Sequence, residues 1–243
     1  MYADLHLHTR YSDGTYSPAE LVTAAQRHGL SALAVTDHDT VEVYPEITPL
    51  CAAAGLELLT GTELTAEWHG QELHLLGYGI NPEHPRLRLE LARFQSVRQN
   101  RIREIVRRLN ELNIPLEAEA VFSLASCNAP GRPHIGRALV QAGFCVNLDE
   151  AFDLYLKKHR PAWVPKFKLP AGDCIQLIHE AGGLAVMAHP ALNHADHAIP
   201  HLVDQGLDGL ECFHTKHTPE LAEHYLRLRS EEHTSELQSP NTI

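Results

Sequence analysis

The sequence lacks the features that mark membrane proteins, secreted proteins and thiolate metal sites. No apolar run approaches the roughly 20 residues that a transmembrane helix needs, and no apolar segment follows a basic start as in a signal peptide. The five cysteines are scattered, odd in number and never paired as CxxC, which argues against a disulfide framework and a thiolate zinc site. We therefore expect a soluble, cytoplasmic protein with reduced thiols and no membrane partner.

Positive charge is also scarce. The 243 residues include 20 Lys and Arg against 31 Asp and Glu, which gives a formal net charge of −11. Nonspecific binding to duplex DNA depends on many cationic contacts with phosphates, so we expect no duplex DNA partner. Histidine, by contrast, is abundant, with 18 residues. Because imidazole is the commonest metal ligand among side chains, this surplus directs attention to a metal site.

Strand-like and helical segments alternate along most of the chain, which indicates an α/β fold. Residues 17–29 carry a full set of helix signals, with Ser17 as N-cap, Pro18 at the first helical position, Glu20 at the third and Gly29 after the end. The predicted strands are YADLHL, SALAVTDHD, LELLTGTEL, ELHLLGYG, GGLAVMAHP and LDGLECFH. Their β–α order predicts a mainly parallel sheet, open or closed into a barrel.

Residues 82–165 interrupt this alternation and are predicted to form a helical insertion subdomain. One long amphipathic helix is predicted first, because apolar residues recur at intervals of three and four. Three shorter predicted helices follow it, near residues 117–126, 134–142 and 148–157. The residues of this stripe are Leu87, Leu91, Phe94, Ile102, Ile105, Leu109 and Leu112. Residues 1–81 and 166–228 then form the barrel. Segment 229–243 has little apolar periodicity, and we expect it to be a non-native tail.

The long predicted helix also carries eight of the 20 Lys and Arg, between Arg86 and Arg108. A basic stripe of this kind could guide a short oligonucleotide. Interspersed Glu90, Glu104 and Glu111 allow ion pairs between residues three and four apart, which is typical of an ordinary solvated face. We favour the solvated face.

Residues of metal-ligand type recur at the predicted strand ends. In DLHLHTRYSDG, which also contains Asp13, His6 and His8 are two residues apart on a strand, so their imidazoles project from the same face. Further residues of this type end later strands: His38, Glu63, His74 and His189. In a β/α barrel the C-terminal strand ends converge on one site, so distant residues can meet there. Imidazole and carboxylate ligands without thiolate suit Mn, Fe or Zn, and the sequence does not choose among them.

Six motifs in order, DLHLHTRYSDG, VTDHD, GTELT, HLLGYG, GRPHIGRAL and AHP, together resemble the polymerase and histidinol phosphatase (PHP) family. Their spacing is most similar to the stand-alone phosphoesterases of that family that act on nucleoside 3′,5′-bisphosphates or trim RNA from its 5′ end. The resemblance runs from residue 2 to about 228. It implies a distorted (βα)7 TIM-like barrel and a cluster of three divalent metal ions.

The resemblance also implies which residues hold each ion. The implied ligands of the three ions are His6, His8 and Glu63 for the first, Glu63, His74 and His189 for the second, and Asp13 and His38 for the third. Members of the family complete the cluster with an Asp-x-His pair on a late strand, but no aspartate follows Asp208 here. We therefore expect that the last strand or strands are missing, and that the chain binds metal incompletely.

The motif GRPHIGRAL supplies the candidates for binding a phosphate. Arg132 can match phosphate oxygens in a bidentate manner, and His134 lies beside it; the alternative is a helix-start arginine and a capping histidine. For the remaining candidates, a functional role is no more strongly favoured than an ordinary structural one. Asp39, Glu211 and His214 either line the pocket or are ordinary strand-end residues. Lys157 and Lys158 either reach a distal phosphate or form a solvated pair, and we favour the solvated pair.

These observations favour a metal-dependent phosphoesterase that acts on nucleotides or short RNA. Two phosphatase substrates stay open, a nucleotide phosphate and a histidinol-phosphate-type ester. An amidohydrolase-type barrel also begins with HxH, but it typically uses a strand-end lysine between two metals, and no lysine of this chain lies on the predicted mid-barrel strands. The last alternative is a metal-binding module without catalysis, because the Asp-x-His pair is absent.

Overall fold

The computed structural model describes residues 2–231 and 235–237. Its strands are β1 (Tyr2–Leu7), β2 (Leu30–Val35), β3 (Glu57–Trp68), β4 (Gln71–Tyr78), β5 (Leu169–Pro170), β6 (Leu184–Met187), β7 (Gly209–Glu211) and β8 (Ser235–Leu237). Its α-helices are α1 (Pro18–Arg27), α2 (Tyr44–Ala54), α3 (Pro85–Glu111), α4 (Ala118–Ala125), α5 (Arg132–Gln141), α6 (Leu148–Ala151), α7 (Ala171–Glu180), α8 (Pro190–Asn193), α9 (Ile199–Asp204) and α10 (Pro219–Glu231). A π-helical turn, Phe152–Leu156, follows α6, and a 3-10 turn, Asp196–Ala198, precedes α9. None of the helices described here is both long and apolar enough to cross a membrane.

Helix α1 shows how closely local sequence signals set an element. Glu20 N donates to Ser17 Oγ at 3.3 Å, and Ser17 N donates to the Glu20 carboxylate at 2.8 Å, which completes a reciprocal capping box. Pro18 occupies the first turn, and Gly29 follows the helix at a φ of +68°, a conformation that favours glycine. The predicted helix is therefore confirmed at both ends.

The sheet follows the order β1-β2-β3-β4-β6-β7-β8, with β5 paired to β3. The pairs β1–β2, β2–β3, β3–β5, β6–β7 and β7–β8 are parallel, whereas β4 is antiparallel to both β3 and β6. The prediction of regular β–α alternation is therefore wrong at β3 and β4, which form a hairpin. Glu63 and His74 consequently lie within strands, and the prediction that they end strands is also wrong.

The sheet is strongly curled. Strands β1 and β7 are five steps apart in the sheet order, yet His6 Nδ1 of β1 lies 2.9 Å from Glu211 Oε1 of β7. Inside the curl, the Tyr78 hydroxyl of β4 donates to Leu5 O of β1 at 2.7 Å. A flat sheet could not make these contacts, because neighbouring strands are about 4.8 Å apart. The sheet therefore has the TIM-like curvature that the family resemblance implies.

The helices α3 to α6 have an apolar cluster of their own. Leu87 and Leu91, in the first half of α3, pack with the core between the sheet and its helices. Ile102 and Ile105, in the second half, pack instead with residues of α4, α5 and the π-helical turn. This separate cluster supports the division into a barrel and an insertion at 82–165, which stays a proposal. Helix α3 spans both parts.

The sequence predicts that segment 229–243 is a non-native tail. Residues 229–231 continue the backbone of α10, and β8 pairs in parallel with β7. Strand β8, like the short β5, was not predicted. Residues 232–234 and 238–243 lie outside the described residues. That the segment is non-native, and that the last strand or strands are missing, stay predictions.

Candidate metal centre

The Glu63 carboxylate is the centre of a cluster of histidines. It lies on β3, its side chain is 1% exposed, and ring nitrogens of five histidines approach its two oxygens. The nitrogens and their distances are His6 Nε2 (3.3 Å), His8 Nε2 (3.1 Å), His38 Nδ1 (3.2 Å), His74 Nδ1 (2.8 Å) and His189 Nε2 (3.0 Å). The structure thus brings together residues that lie up to 183 positions apart (6 to 189) in the sequence.

The backbone explains why these rings meet. His6 is on β1, and His8, two residues further on, directly follows the end of that strand. His38 forms an isolated parallel bridge with Glu63, and the neighbouring Asp39 N donates to Glu63 O at 3.0 Å. On the β3–β4 hairpin, Thr65 pairs with His74, so His74 is the diagonal neighbour of Glu63 and within reach of its carboxylate.

His189 follows β6 and has an unusual backbone. Its φ of +29° lies in the left-handed region, which is strained for a residue other than glycine. Its backbone N–H donates to Glu211 Oε2 at 2.7 Å, and its Nε2 lies 3.0 Å from Glu63 Oε1. His189 thus combines a strained backbone with a ring nitrogen that faces the Glu63 carboxylate.

The donor atoms fit divalent metal ions. Nδ1 of His38 and Nδ1 of His74 are buried and close to Glu63, yet neither makes a hydrogen bond with any residue that the structure describes. His6 Nε2 lies 3.1 Å from His8 Nε2, and ligand atoms at about 2.0–2.1 Å from one ion have a similar separation. Within residues 2–231 and 235–237, two three-residue groups have ligand atoms within 4.8 Å of one another, His6–Glu63–His189 and His8–His38–Glu63. Imidazole and carboxylate without thiolate suit Mn, Fe or Zn.

Asp13 borders the cluster on the side of His8 and His38. Its carboxylate oxygens lie 3.6 Å from His8 Nδ1 and 3.8 Å from His38 Nε2. Arg137 Nη2 donates to the Asp13 backbone carbonyl at 2.9 Å and so fixes the loop. Burial alone would raise the pKa of the Asp13 carboxyl, but the nearby His38 and His8 lower it. An ionised Asp13 is what a cation site requires.

Burial and charge shift the pKa values of the cluster in different directions. Burial would raise the pKa of Glu63, but the surrounding histidines hold it well below its usual range. Burial lowers the pKa of His6, yet Glu211 and Glu63 together raise it well above 6.5. For His38 the effect of burial prevails, and its pKa falls. The cluster therefore combines an ionised Glu63 with a neutral His38 ring that offers a lone pair, while the two acids beside His6 favour its protonated form.

Glu211 contacts the ring of His6 and the backbone of His189. Its Oε1 lies 2.9 Å from His6 Nδ1, and its Oε2 accepts the His189 N–H. The ring of His214 lies beside them, with centroid distances of 6.0 Å to His6 and 5.5 Å to His189. Of the lower-weighted candidates, Glu211 contacts the cluster directly and His214 is adjacent to it.

Asp37 has a similar supporting position that the sequence analysis missed. Its carboxylate accepts hydrogen bonds from Thr9 N at 2.7 Å and from Ser12 Oγ at 2.6 Å. Ser12 Oγ in turn lies 3.4 Å from His8 Nδ1. The motif TDHD contains this residue, but its role depends on a loop 25 to 28 positions away and is not visible in the local pattern.

A cationic wall faces the same cluster. A cavity of about 230 Å³ is lined by Asp13, His38, Glu72, His74, Arg98, Arg101, Gly131, Arg132, Pro133, Phe152 and Lys166. Lys166 Nζ lies 3.2 Å from His74 Nε2 and 3.3 Å from Glu72 Oε1. Arg98 Nε donates to Asp39 Oδ2 at 2.8 Å, so Asp39 anchors an arginine of this wall.

The prediction of a solvated basic face on α3 is right for some residues and wrong for others. Arg107 pairs with Glu104 and Glu111 in solvent, as predicted. Arg98 and Arg101 are each only 8% exposed and line the cavity. A signal existed, because both arginines fall on the apolar stripe of the helix, four and seven residues after the buried Phe94.

The two residues of GRPHIGRAL have different positions. Arg132 lines the cavity, its Nη1 donates to Leu156 O at 3.1 Å, and its guanidinium lies 5.6 Å from the centroid of the Phe152 ring. His134 is buried, and its Nδ1 accepts the Gly131 N–H at 3.1 Å. The contact made by His134 is thus that of the capping histidine considered as its alternative.

The argument against an amidohydrolase is that no lysine lies on a mid-barrel strand, and this holds for the described strands, although one lysine does reach the site. Lys166 reaches His74 from the segment before β5, although it lies on no mid-barrel strand. The position between the rings is occupied by the Glu63 carboxylate. The predicted pair of Lys157 and Lys158 is divided, because Lys157 pairs with Asp153 whereas Lys158 lines a second cavity.

Comparisons with known proteins agree with this geometry. Residues 4–107 match the PHP domain family. Over 187 residues the chain is 36% identical to a 5′–3′ exoribonuclease of Haemophilus influenzae, which covers 77% of this chain and 68% of that protein. Over 195 residues it is 32% identical to a 3′,5′-nucleoside bisphosphate phosphatase of Chromobacterium violaceum, which covers 77% of this chain and 66% of that protein.

The fold is shared with a protein of known structure. The crystal structure of a metal-dependent phosphoesterase from Bifidobacterium adolescentis matches 98% of this chain and 86% of its own, with a TM-score of 0.91 at 30% identity. The α/β fold of TIM-like type predicted from the sequence is thereby confirmed.

Proposed function

Because the chain belongs to the PHP domain family, we propose that it is a metal-dependent phosphoesterase that hydrolyses phosphate esters of nucleotides or of short RNA. The similar proteins named as a 5′–3′ exoribonuclease and a 3′,5′-nucleoside bisphosphate phosphatase support this substrate class. The observation that carries the proposal is a shared cavity: His38 and His74, which contact Glu63, and the adjacent Asp13 line it together with Arg98, Arg101, Arg132 and Lys166. Metal ligands and phosphate-binding cations face the same space.

We assign the metal ligands as the sequence predicts them. They are His6, His8, Asp13, His38, Glu63, His74 and His189. In this proposal the complete family site holds three divalent ions, of Mn, Fe or Zn. Ions bound there would polarise phosphate oxygens and lower the pKa of a bound water towards neutrality.

The cations of the wall bind and orient the phosphate group. Phosphoryl transfer depends on positioning and on neutralising charge. Arg132 offers a guanidinium already held by Leu156 O and by the Phe152 ring, so little side-chain entropy is lost when it binds phosphate oxygens in a bidentate manner. Lys166 adds a point charge next to His74. We leave His134 as a structural residue of the α5 start.

The partners and the place of action follow from the substrate. The proposed partner is a small phosphorylated nucleotide or a short oligoribonucleotide. We propose that the protein acts in the cytoplasm, where such substrates occur, and its five free cysteines support a reducing compartment.

The test is phosphate release by the purified chain after metal removal and reconstitution with Mn²⁺. We expect release from adenosine 3′,5′-bisphosphate, and loss of both metal and activity in His8→Ala. The matched control is His28→Ala, an exposed histidine after α1. A protein that binds metal through His8 but releases no phosphate from mononucleotides or short RNA would instead be the non-catalytic metal-binding module.

A further inference from the structure

Asp13 is the most exposed of the seven proposed metal ligands. Its side chain is 30% exposed, whereas those of the other six range from 1% at Glu63 to 20% at His8. Asp13 also lies on the loop of residues 8–17 between β1 and α1, and loops are more mobile than the elements they connect. The position of its carboxylate therefore depends on what holds this loop.

The barrel holds the first part of the loop through Asp37. The Asp37 carboxylate accepts hydrogen bonds from Thr9 N at 2.7 Å, from Thr9 Oγ1 at 2.6 Å and from Ser12 Oγ at 2.6 Å. Thr9 and Ser12 are buried, so these bonds are shielded from water. None of the three bonds involves Asp13 itself, so the metal-binding residue of the loop needs a second support.

The helical insertion supplies that support. Nη2 of Arg137, on α5, donates to the backbone oxygen of Asp13 at 2.9 Å. Sγ of Cys127, two residues after α4, lies 3.5 Å from the backbone oxygen of Ser12. Burial raises the pKa of the Cys127 thiol to about 11, so the thiol is protonated at neutral pH and donates this bond. Two consecutive carbonyl groups of the loop thus accept hydrogen bonds from the insertion.

The hydrogen bond from Arg137 fixes the backbone of Asp13 and leaves its carboxylate free to bind an ion. A bond from a charged guanidinium is about twice as strong as one between neutral groups. A ligand whose backbone is already held loses less conformational entropy when the ion binds. Residues that orient a metal ligand without touching the metal typically change metal affinity by about 10- to 100-fold.

Helix α5 is a rigid base for Arg137. Ile135, Ala138 and Leu139 of this helix are buried in the apolar cluster of the insertion. Arg137 is only half-buried, and it reaches the barrel loop from the same turn of the helix. Arg132, at the start of α5, lines the cavity at the metal centre instead. The two arginines of GRPHIGRAL therefore make separate contacts.

We infer that Arg137 is a positioning residue of the metal centre: from the insertion, it holds the loop that places the Asp13 carboxylate beside His38, where the third ion is assigned. Cys127 assists through its contact with Ser12. The inference rests on the metal ligands of the proposed function and deepens that assignment. It means that the insertion, besides lining the cavity, sets the affinity of one metal ion.

The first experiment measures Mn²⁺ binding to the metal-free chain by competition with a chelator, with no substrate present. We expect Arg137→Met to weaken the most weakly bound ion by about 10- to 100-fold and to leave tighter ions within about twofold. Arg137→Lys should recover most of this loss, because Asp13 O accepts a single hydrogen bond that an ammonium group can donate. Arg160→Met removes an exposed arginine of the insertion and is the matched control.

The second experiment tests whether Arg137 acts through Asp13. Asp13→Asn alone should weaken the same ion, and adding Arg137→Met to it should cost less than about twofold more, since both changes affect one ligand. Hydrogen exchange of the metal-free protein gives a readout that needs no ion. In Arg137→Met the amide hydrogens of Arg10 and Ser12, which are bonded within the loop, should exchange about tenfold faster. Those of helix α1 should keep the wild-type rate.

Three results would overturn the inference. Equal metal affinity in Arg137→Met and in the wild type would show that the barrel alone places Asp13. Fully additive losses in the double variant would show that Arg137 acts on another part of the metal centre. Unchanged affinities in Asp13→Asn would remove Asp13 from the set of ligands, and the inference with it.

A second variant keeps the test decisive if Arg137→Met fails to fold. Cys127→Ala, which removes the other contact of the insertion with the loop, should then weaken the same ion by about threefold. Phosphate release is measured in none of these experiments. A chain that binds metal in this way but releases no phosphate would refute the phosphoesterase and leave the inference intact.

Discussion

His6 Nδ1 lies 2.9 Å from Glu211 Oε1, and this contact joins strands β1 and β7. The same carboxylate accepts the His189 N–H at 2.7 Å through its second oxygen. A carboxylate at Nδ1 favours the tautomer of His6 in which the Nε2 lone pair faces Glu63. One residue therefore orients the His6 ring and holds the backbone of His189 at the metal centre.

We predict that Glu211→Gln weakens metal binding by about 10- to 100-fold, because an amide cannot hold both contacts with the same charge and geometry. Metal affinity is measured by competition with a chelator, and the thermal stability of the metal-free protein is measured alongside. Glu223→Gln, on the exposed face of α10, is the control. Unchanged affinity in Glu211→Gln would mean that β1 and β6 position the rings without help.

Metal should stabilise the fold itself. A ligand that binds only the native state at 100 times its Kd stabilises it by about 2.7 kcal/mol, which corresponds to a Tm increase of roughly 5–10 °C for a chain of this size. We expect such an increase when Mn²⁺ is added after EDTA treatment. In Glu63→Gln the increase should disappear, because Glu63 is common to both ligand groups. Glu57→Gln, at the exposed start of β3, should retain it.

Much of the centre could be predicted because its signals are local. His6 and His8 share a strand face through their spacing alone, and Ser17 with Glu20 announces α1. The hairpin was missed although a signal was present. His69 and Gly70, at φ values of 48° and 83°, form a two-residue turn of the kind that joins antiparallel strands. The turn was not recognised because His69 stands where such turns usually have Asn or Asp.

The cationic wall could not be predicted in the same way. Arg98 reaches Asp39 across 59 positions, and its charge is tolerated in a buried position only because that carboxylate is there. The separation of Lys157 from Lys158 depends on the π-helical turn, Phe152–Leu156, whose geometry no sequence pattern announced. Such roles arise from contacts between different helices and strands. The residue periodicity within a single element does not predict those contacts.

The Arg98–Asp39 pair should be costly to break. Its side chains are 9% and 0% exposed, and removing one member of a buried pair typically costs about 3–5 kcal/mol because the other charge stays buried. We predict that Arg98→Met and Asp39→Asn each lower the free energy of unfolding by this amount. The double variant should lose less than the sum of the two single losses. Asparagine suits the φ of 51° at this position, so backbone strain does not confound the result. Denaturant unfolding of all four proteins gives the coupling energy, and additive losses would contradict the pairing.

The same pair predicts a pH dependence. Burial would raise the pKa of Asp39, but Arg98 lowers it below its ordinary value of 3.8. A carboxyl with a lowered pKa in the folded state stabilises that state above its unfolded pKa, and the stabilisation is lost as the pH falls through the folded pKa. The difference in unfolding free energy between the wild type and Asp39→Asn should therefore be constant at neutral pH and shrink below about pH 3.8. A difference that stays constant to lower pH would show that Asp39 does not titrate with the pair.

Arg132 distinguishes phosphate binding from metal binding. Its contacts with Leu156 O and the Phe152 ring hold the guanidinium at the cavity without involving any of the proposed metal ligands. A charge-assisted hydrogen bond is worth about 1.5–3 kcal/mol, so Arg132→Ala should raise KM for phosphate esters by about 10- to 100-fold while metal content stays at the wild-type level. Arg132→Lys should recover only part of the loss, because an ammonium group lacks the bidentate geometry. Arg160→Ala, which removes an exposed arginine from the same insertion, is the control. The proposed metal ligands come from the barrel, whereas Arg132 comes from α5. A loss of metal in Arg132→Ala comparable to the loss of activity would therefore mean that the guanidinium maintains the metal centre itself. Full recovery of KM in Arg132→Lys would mean that the positive charge alone is needed.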